Sequence, residues 1–106
     1  MHLRVENGTE DHTAMHWHGL RIANAMDRVP YLTQMPIAGG ESFDYTFPPP
    51  DAGTFWYHPH CMTMAQMVHG LTGVMVIREA ENPGFDGDQA VNLRDFRLND
   101  DGTFLP

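Results

Sequence analysis

Two His-x-His pairs, His16-Trp17-His18 and His58-Pro59-His60, constrain this chain more than any other feature of its sequence. On an extended strand residues i and i+2 point to one face. His16 therefore projects with His18, and Trp17 to the other side. His58 and His60 project together, with Trp56 on the face of His58 and with Phe55 and Tyr57 opposite. If the two strands lie side by side, four imidazoles converge at one rim. Converging imidazoles are poor packing material, because each brings two ring nitrogens that need partners once buried. As ligands they suit copper, zinc, iron or nickel, and the spacing alone does not separate copper from zinc. Pro59 cannot donate to a ladder, so this strand end is expected at an edge or already leaving the sheet.

The same alternation recurs along the chain. Residues 1–6 place Met1, Leu3 and Val5 on one side, and residues 41–47 align Phe43, Tyr45 and Phe47. Residues 13–19, 54–60 and 71–78 read as further strands, 91–98 as a last one, and 63–69 as a short helix. Asn7-Gly8, the run Pro48-Pro49-Pro50-Asp51-Ala52-Gly53 and Asp100-Asp101-Gly102 are turn signals. Residues 20–40 form a long connection and the acidic stretch 79–88 a loop. Short strands separated by turns predict an all-β sandwich. A length of 106 residues allows one core and no second domain. Five or six strands, against about seven in a complete sandwich, predict a single domain over 1–106 that is incomplete at both ends, a fragment of a larger protein.

Fourteen acidic residues against six basic ones, all arginine, give a net charge of −8. Nucleic acid and anionic membrane surfaces are not expected partners, since neutralising phosphates needs a basic patch. A solvated acidic surface accounts for the balance. No apolar run approaches the ~20 residues of a membrane span. The start, Met1-His2-Leu3-Arg4, lacks the basic and apolar regions of a signal peptide. Cys61 is the single cysteine, so no internal disulfide is expected.

The residues around the histidines carry a resemblance. His16-Trp17-His18-Gly19-Leu20 and Gly53-Thr54-Phe55-Trp56-Tyr57-His58-Pro59-His60 resemble the first two copper motifs of the multicopper oxidases, the family of laccases and bacterial copper-resistance oxidases. The likeness continues in Asp27-Arg28-Val29-Pro30-Tyr31-Leu32-Thr33-Gln34-Met35-Pro36-Ile37 and in Gly70-Leu71-Thr72-Gly73-Val74-Met75-Val76-Ile77. It covers most of residues 3–78 and fades after Glu79. Arg94-Asp95-Phe96-Arg97-Leu98 to Gly102 is similar to the stretch that leads out of the family's first domain. Two positions depart from the pattern: Arg28 stands where the family usually has glycine, and Gly39 where proline is frequent.

The resemblance implies a cupredoxin-like Greek-key β-sandwich of the N-terminal, plastocyanin-like type, in a periplasmic or secreted protein. It implies that His16 binds the type 2 copper, that His18 and His58 share one type 3 copper, and that His60 binds the other. These four are half of the family's eight cluster histidines. Asp27 falls where the family keeps an acid that relays protons to bound oxygen. The implied reaction couples four one-electron oxidations of a reducing substrate, a phenol or cuprous ion, to reduction of oxygen to two waters. The remaining ligands would come from further cupredoxin domains, in cis or from another subunit. This chain has no type 1 copper site, because Cys61 lacks a histidine on each side, and alone it is expected to be inactive as an oxidase.

Eight methionines remain, of which Met62, Met64 and Met67 follow the second pair. Gap-filling in a core accounts for them, while the affinity of thioethers for cuprous copper supports an alternative, a non-catalytic copper-binding or copper-storage module. His2, His12 and His69 match no ligand position and are expected at the surface.

Overall fold

Alternation becomes architecture in a computed structural model that describes residues 1–27, 29–81 and 83–105. Among these residues five strands form: β1 (His2–Glu6), β2 (Met15–His18), β3 (Ser42–Thr46), β4 (Gly53–Pro59) and β5 (Gly73–Ile77). One short helix, α1 (Thr63–Val68), follows β4, and a single 3-10 turn spans Asn24–Met26. β1 pairs with β3, and the second sheet runs in the order β2-β4-β5, every pairing antiparallel. The sheets face each other across Met15, Trp17, Leu20, Tyr45 and Phe47, so the architecture is the all-β sandwich expected from the sequence.

The period of two is clearest in β1. There Leu3 and Val5 turn towards the core while His2, Arg4 and Glu6 are exposed. Arg4 lies opposite Asp44 in the ladder and donates from Nε and Nη2 to its two carboxylate oxygens at 2.8 and 2.6 Å. The guanidinium's hydrogen bonds hold the Asp44 carboxyl below the usual carboxylate range. An exposed pair of this kind adds little stability but favours the register. Tyr45, fully buried, joins the sheets: its hydroxyl accepts the Met15 N–H at 3.2 Å, and its ring meets Trp17 edge-on at 5.1 Å.

The approach to β2 is pinned by two buried amides. Asn7 donates to the carbonyls of Asp11 and Ile37 at 2.7 and 3.0 Å and accepts from the Thr9 N–H and hydroxyl at 3.0 and 2.7 Å. Gln66, on α1, accepts from the Thr13 hydroxyl at 2.8 Å and donates to the His12 carbonyl at 2.9 Å. A Cβ at Gly39 would lie 2.6 Å from the Thr9 carbonyl oxygen. The departure at that position therefore has a steric reason: this loop has no room there for a side chain. Arg28 lies outside the described residues.

The expected strand at 91–98 is not met. Among the described residues this stretch makes one isolated bridge, Leu98 with Phe104, and Val91 and Leu93 are exposed. Alternation encodes a face, but a strand also needs a neighbour to supply its ladder, and this segment is paired into neither sheet. It is tethered instead by Arg94, which donates to the carbonyls of Gly70, at 2.7 Å, and Thr72. No helix among the described residues is long and apolar enough to cross a membrane.

Candidate metal centre

The site follows from one register. β2 and β4 run antiparallel with His16 opposite His58, Trp17 opposite Tyr57 and His18 opposite Trp56. Residues opposite one another share a face. Trp17 and Tyr57 thus enter the core, and the histidines with Trp56 occupy the outer face. The ladder extends past Pro59, where the His60 N–H donates to the Ala14 carbonyl at 2.7 Å. Pairing of β4 with β5 ends at Tyr57 opposite Gly73, so Pro59 lies where only β2 runs alongside, as its missing N–H requires.

On this face His16, His18 and His58 each offer a ligand atom, and the three atoms lie within 4.8 Å of one another. Two of the rings are oriented by oxygen acceptors. The His58 Nδ1–H donates to the Pro59 carbonyl at 2.9 Å, and the His16 Nδ1–H donates to Asp27 Oδ1 at 2.6 Å. Neither oxygen can donate in return, so both protons rest on Nδ1 and both Nε2 lone pairs are left for a metal. Asp27 Oδ1 also accepts the Trp17 N–H at 3.2 Å, which ties the carboxylate to the strand as well as to the ring.

His18 Nδ1 stands 3.4 Å from His58 Nε2, long for a hydrogen bond. Two nitrogens about 2.0–2.1 Å from one tetrahedral metal lie roughly 3.4 Å apart, so the spacing fits a shared ion. The His60 ring stacks on His16 with centroids 4.9 Å apart and planes 16° from parallel. His60 therefore joins the cluster, but outside the three-atom group. His58 is buried, His16 half-buried, and His18 and His60 exposed, so the cluster opens to one side.

The donor set is all imidazole, with one carboxylate behind it. It fits a borderline metal such as copper or zinc and does not fit a hard, oxygen-seeking cation. The other histidines lie elsewhere: His2 pairs with the Thr46 hydroxyl at 3.0 Å, His69 meets Phe104 edge-on at 5.3 Å, and His2, His12 and His69 are all exposed. Cys61 is half-buried and outside the ligand group. Two features escaped the sequence reading. One is the direct hydrogen bond from His16 to Asp27. The other is the stacking of Trp56 on His18: alternation grouped Trp56 with His58, but only the β2–β4 register sets it opposite His18.

Fold and site together define a β-sandwich that presents a histidine cluster able to hold a metal on the outer face of one sheet. Residues 1–82 match the multicopper oxidase family, and the chain belongs to it. Its fold is the family's all-β, cupredoxin-like Greek-key sandwich, and the family's chemistry is copper-dependent oxidation. The chain is 45% identical over 82 residues to Multicopper oxidase MCE of Talaromyces pinophilus, covering 76% of this chain and 13% of the relative. It is 36% identical over 96 residues to Copper resistance protein A of Escherichia coli, covering 89% of this chain and 16% of the relative. Among solved structures, a multi-copper oxidase from Pseudomonas parafulva superimposes with a TM-score of 0.92 at 39% identity, covering 99% of this chain and 26% of that one. One from Pseudomonas thermotolerans gives 0.78 at 46%, covering 80% and 21%. The chain thus spans between 13% and 26% of the length of these relatives.

Proposed function

We propose that this chain is a single N-terminal-type, plastocyanin-like cupredoxin domain over residues 1–106 that supplies half of the type 2/type 3 copper cluster of a multicopper oxidase. The observation that carries this reading is the convergence of three imidazole ligand atoms within 4.8 Å, on rings whose acceptors leave Nε2 of His16 and His58 available. His16 would hold the type 2 copper, His18 and His58 one type 3 copper, and His60 the other. The short His18–His58 separation supports that division. Copper bound there supplies one-electron transfer and a place for oxygen to be reduced to water.

The chain's own residues hold the ligands in place and keep one side open. Asp27 Oδ1 takes the His16 Nδ1–H, so its first task is to orient that imidazole. The proton-relay role uses the same carboxyl, one hydrogen bond behind the ligand. The open side, where His18 and His60 are exposed, is where further cupredoxin domains, in cis or from another subunit, would add the missing ligands. The whole protein would be periplasmic or secreted and would oxidise a phenol or cuprous ion. Asp27→Asn is expected to lower copper affinity by roughly 10–100-fold, the usual effect of removing a carboxylate behind a histidine ligand. A chelator-competition titration reads this, and wild-type affinity in the variant would remove Asp27 from the site.

The isolated chain is expected to bind copper without a blue type 1 signal and without oxidase activity. Copper stoichiometry, electron paramagnetic resonance and an oxygen electrode with a phenolic substrate test this together. No copper uptake overturns the metal reading; oxygen consumption above that of free copper overturns the half-cluster reading. A copper-storage module is the second reading, favoured by Met62 and Met64, both exposed just after the second pair. A His-Cys-His segment in the parent reading frame decides for the oxidase.

A further inference from the structure

We propose that Trp56 is a positioning residue that sets the orientation of His18, and with it the angle at which His18 and His58 meet a shared metal; this rests on the metal reading above. Of the three rings whose ligand atoms converge, two are aimed by oxygen: His16 by Asp27 and His58 by the Pro59 carbonyl. Among the described residues His18 has no such acceptor. Its ring contacts are His16, His58 and Trp56. Trp56 lies directly opposite it across the β2–β4 ladder and stacks on it, with centroids 4.7 Å apart and planes 27° from parallel. The same indole reaches His58, two residues along its own strand, at 4.4 Å and 30°.

One rigid aromatic plane thus touches both rings whose nitrogens lie 3.4 Å apart. An imidazole held only by its neighbours on an exposed face is free to rotate about its terminal torsion, which is broad and roughly two-fold. Stacking against an indole removes that freedom. Core packing does not account for Trp56: it is on the outer face and 36% exposed, whereas Trp17 is 4% exposed.

The test compares the purified chain with Trp56→Phe and Trp56→Leu. Circular dichroism checks the fold, chelator competition reads copper affinity, and electron paramagnetic resonance reads the ligand field. Trp56→Leu is expected to bind copper about tenfold more weakly and to give a resonance spectrum split among several geometries. Trp56→Phe, which keeps a stacking ring, is expected to stay within roughly threefold of wild type. A second measurement needs no variant: in the copper-free chain the ring protons of His18 and His58 should resonate upfield of those of His2 and His12, because they face the indole. Equal affinity and spectra for Trp56→Leu and wild type, a Phe variant as weak as the Leu variant, or unshifted His18 protons each overturn the role. A wild-type chain that takes up no copper overturns instead the metal reading beneath it, and this role with it.

Discussion

His58→Ala is expected to leave the chain folded and to weaken copper binding on the order of a hundredfold or more. His58 is the most buried of the cluster histidines, and it is the ring that both its neighbours depend on. Its Nδ1 proton is held by the Pro59 carbonyl at 2.9 Å, and its Nε2 lies 3.4 Å from His18 Nδ1. It stands opposite His16 in the ladder and lies tilted against Trp56, centroids 4.4 Å apart. Removing it leaves His16 and His18 without the third donor of the converging group, and His60 lies outside that group. The fold is expected to survive, because His58 lies outside the apolar cluster between the sheets. Chelator competition measures the loss. His69→Ala, at an exposed ring against Phe104, is the control and should not move the affinity. Copper binding by His58→Ala as tight as by the unaltered chain would sink the site.

Trp17→Ala should have the largest effect on stability, about 3–5 kcal/mol. The indole is 4% exposed and lies 5.1 Å from Tyr45, 5.7 Å from Tyr57 and 5.9 Å from Phe47. It is therefore the point where both sheets meet. At about 4–8 °C per kcal/mol for a domain of this size, the melting midpoint should fall by tens of degrees. Its Nε1 makes no hydrogen bond among the described residues, so Trp17→Phe gives up volume alone and should cost only about 1–2 kcal/mol. Urea denaturation followed by circular dichroism separates the two. The consequence reaches the histidine cluster, because Trp17 stands between His16 and His18, and its packing holds the strand whose backbone N–H at that position anchors Asp27. An alanine variant with an unchanged midpoint would show that the sheets are held together elsewhere.

These two residues also show what could be read from the chain alone. The period of two put Trp17 and the His16/His18 pair on opposite faces, and the same rule grouped His58 with Trp56. Local backbone geometry dictates this, so it is present in any extended stretch. The family words around the histidines added the metal and the fold. Nothing local, however, specifies which strand lies next to which. A slip of one residue between β2 and β4 would pair His16 with Tyr57 or Pro59 and turn one set of histidines inward; the register that prevents it is a property of the packed sheets. The stretch 91–98 shows the same limit from the other side, with strand-like alternation and no ladder beside it.

The sequence by itself determined the candidate ligands and the faces they occupy, because residue type and strand period are carried along the chain. Only the tertiary structure decided how the ligands are aimed. The Pro59 carbonyl, the Asp27 carboxylate and the Trp56 indole act on His58, His16 and His18 through contacts a few ångströms long. Asp27 and His16 come together through a loop, and His18 and Trp56 across a ladder. Such contacts depend on distances between chain segments that only folding brings together.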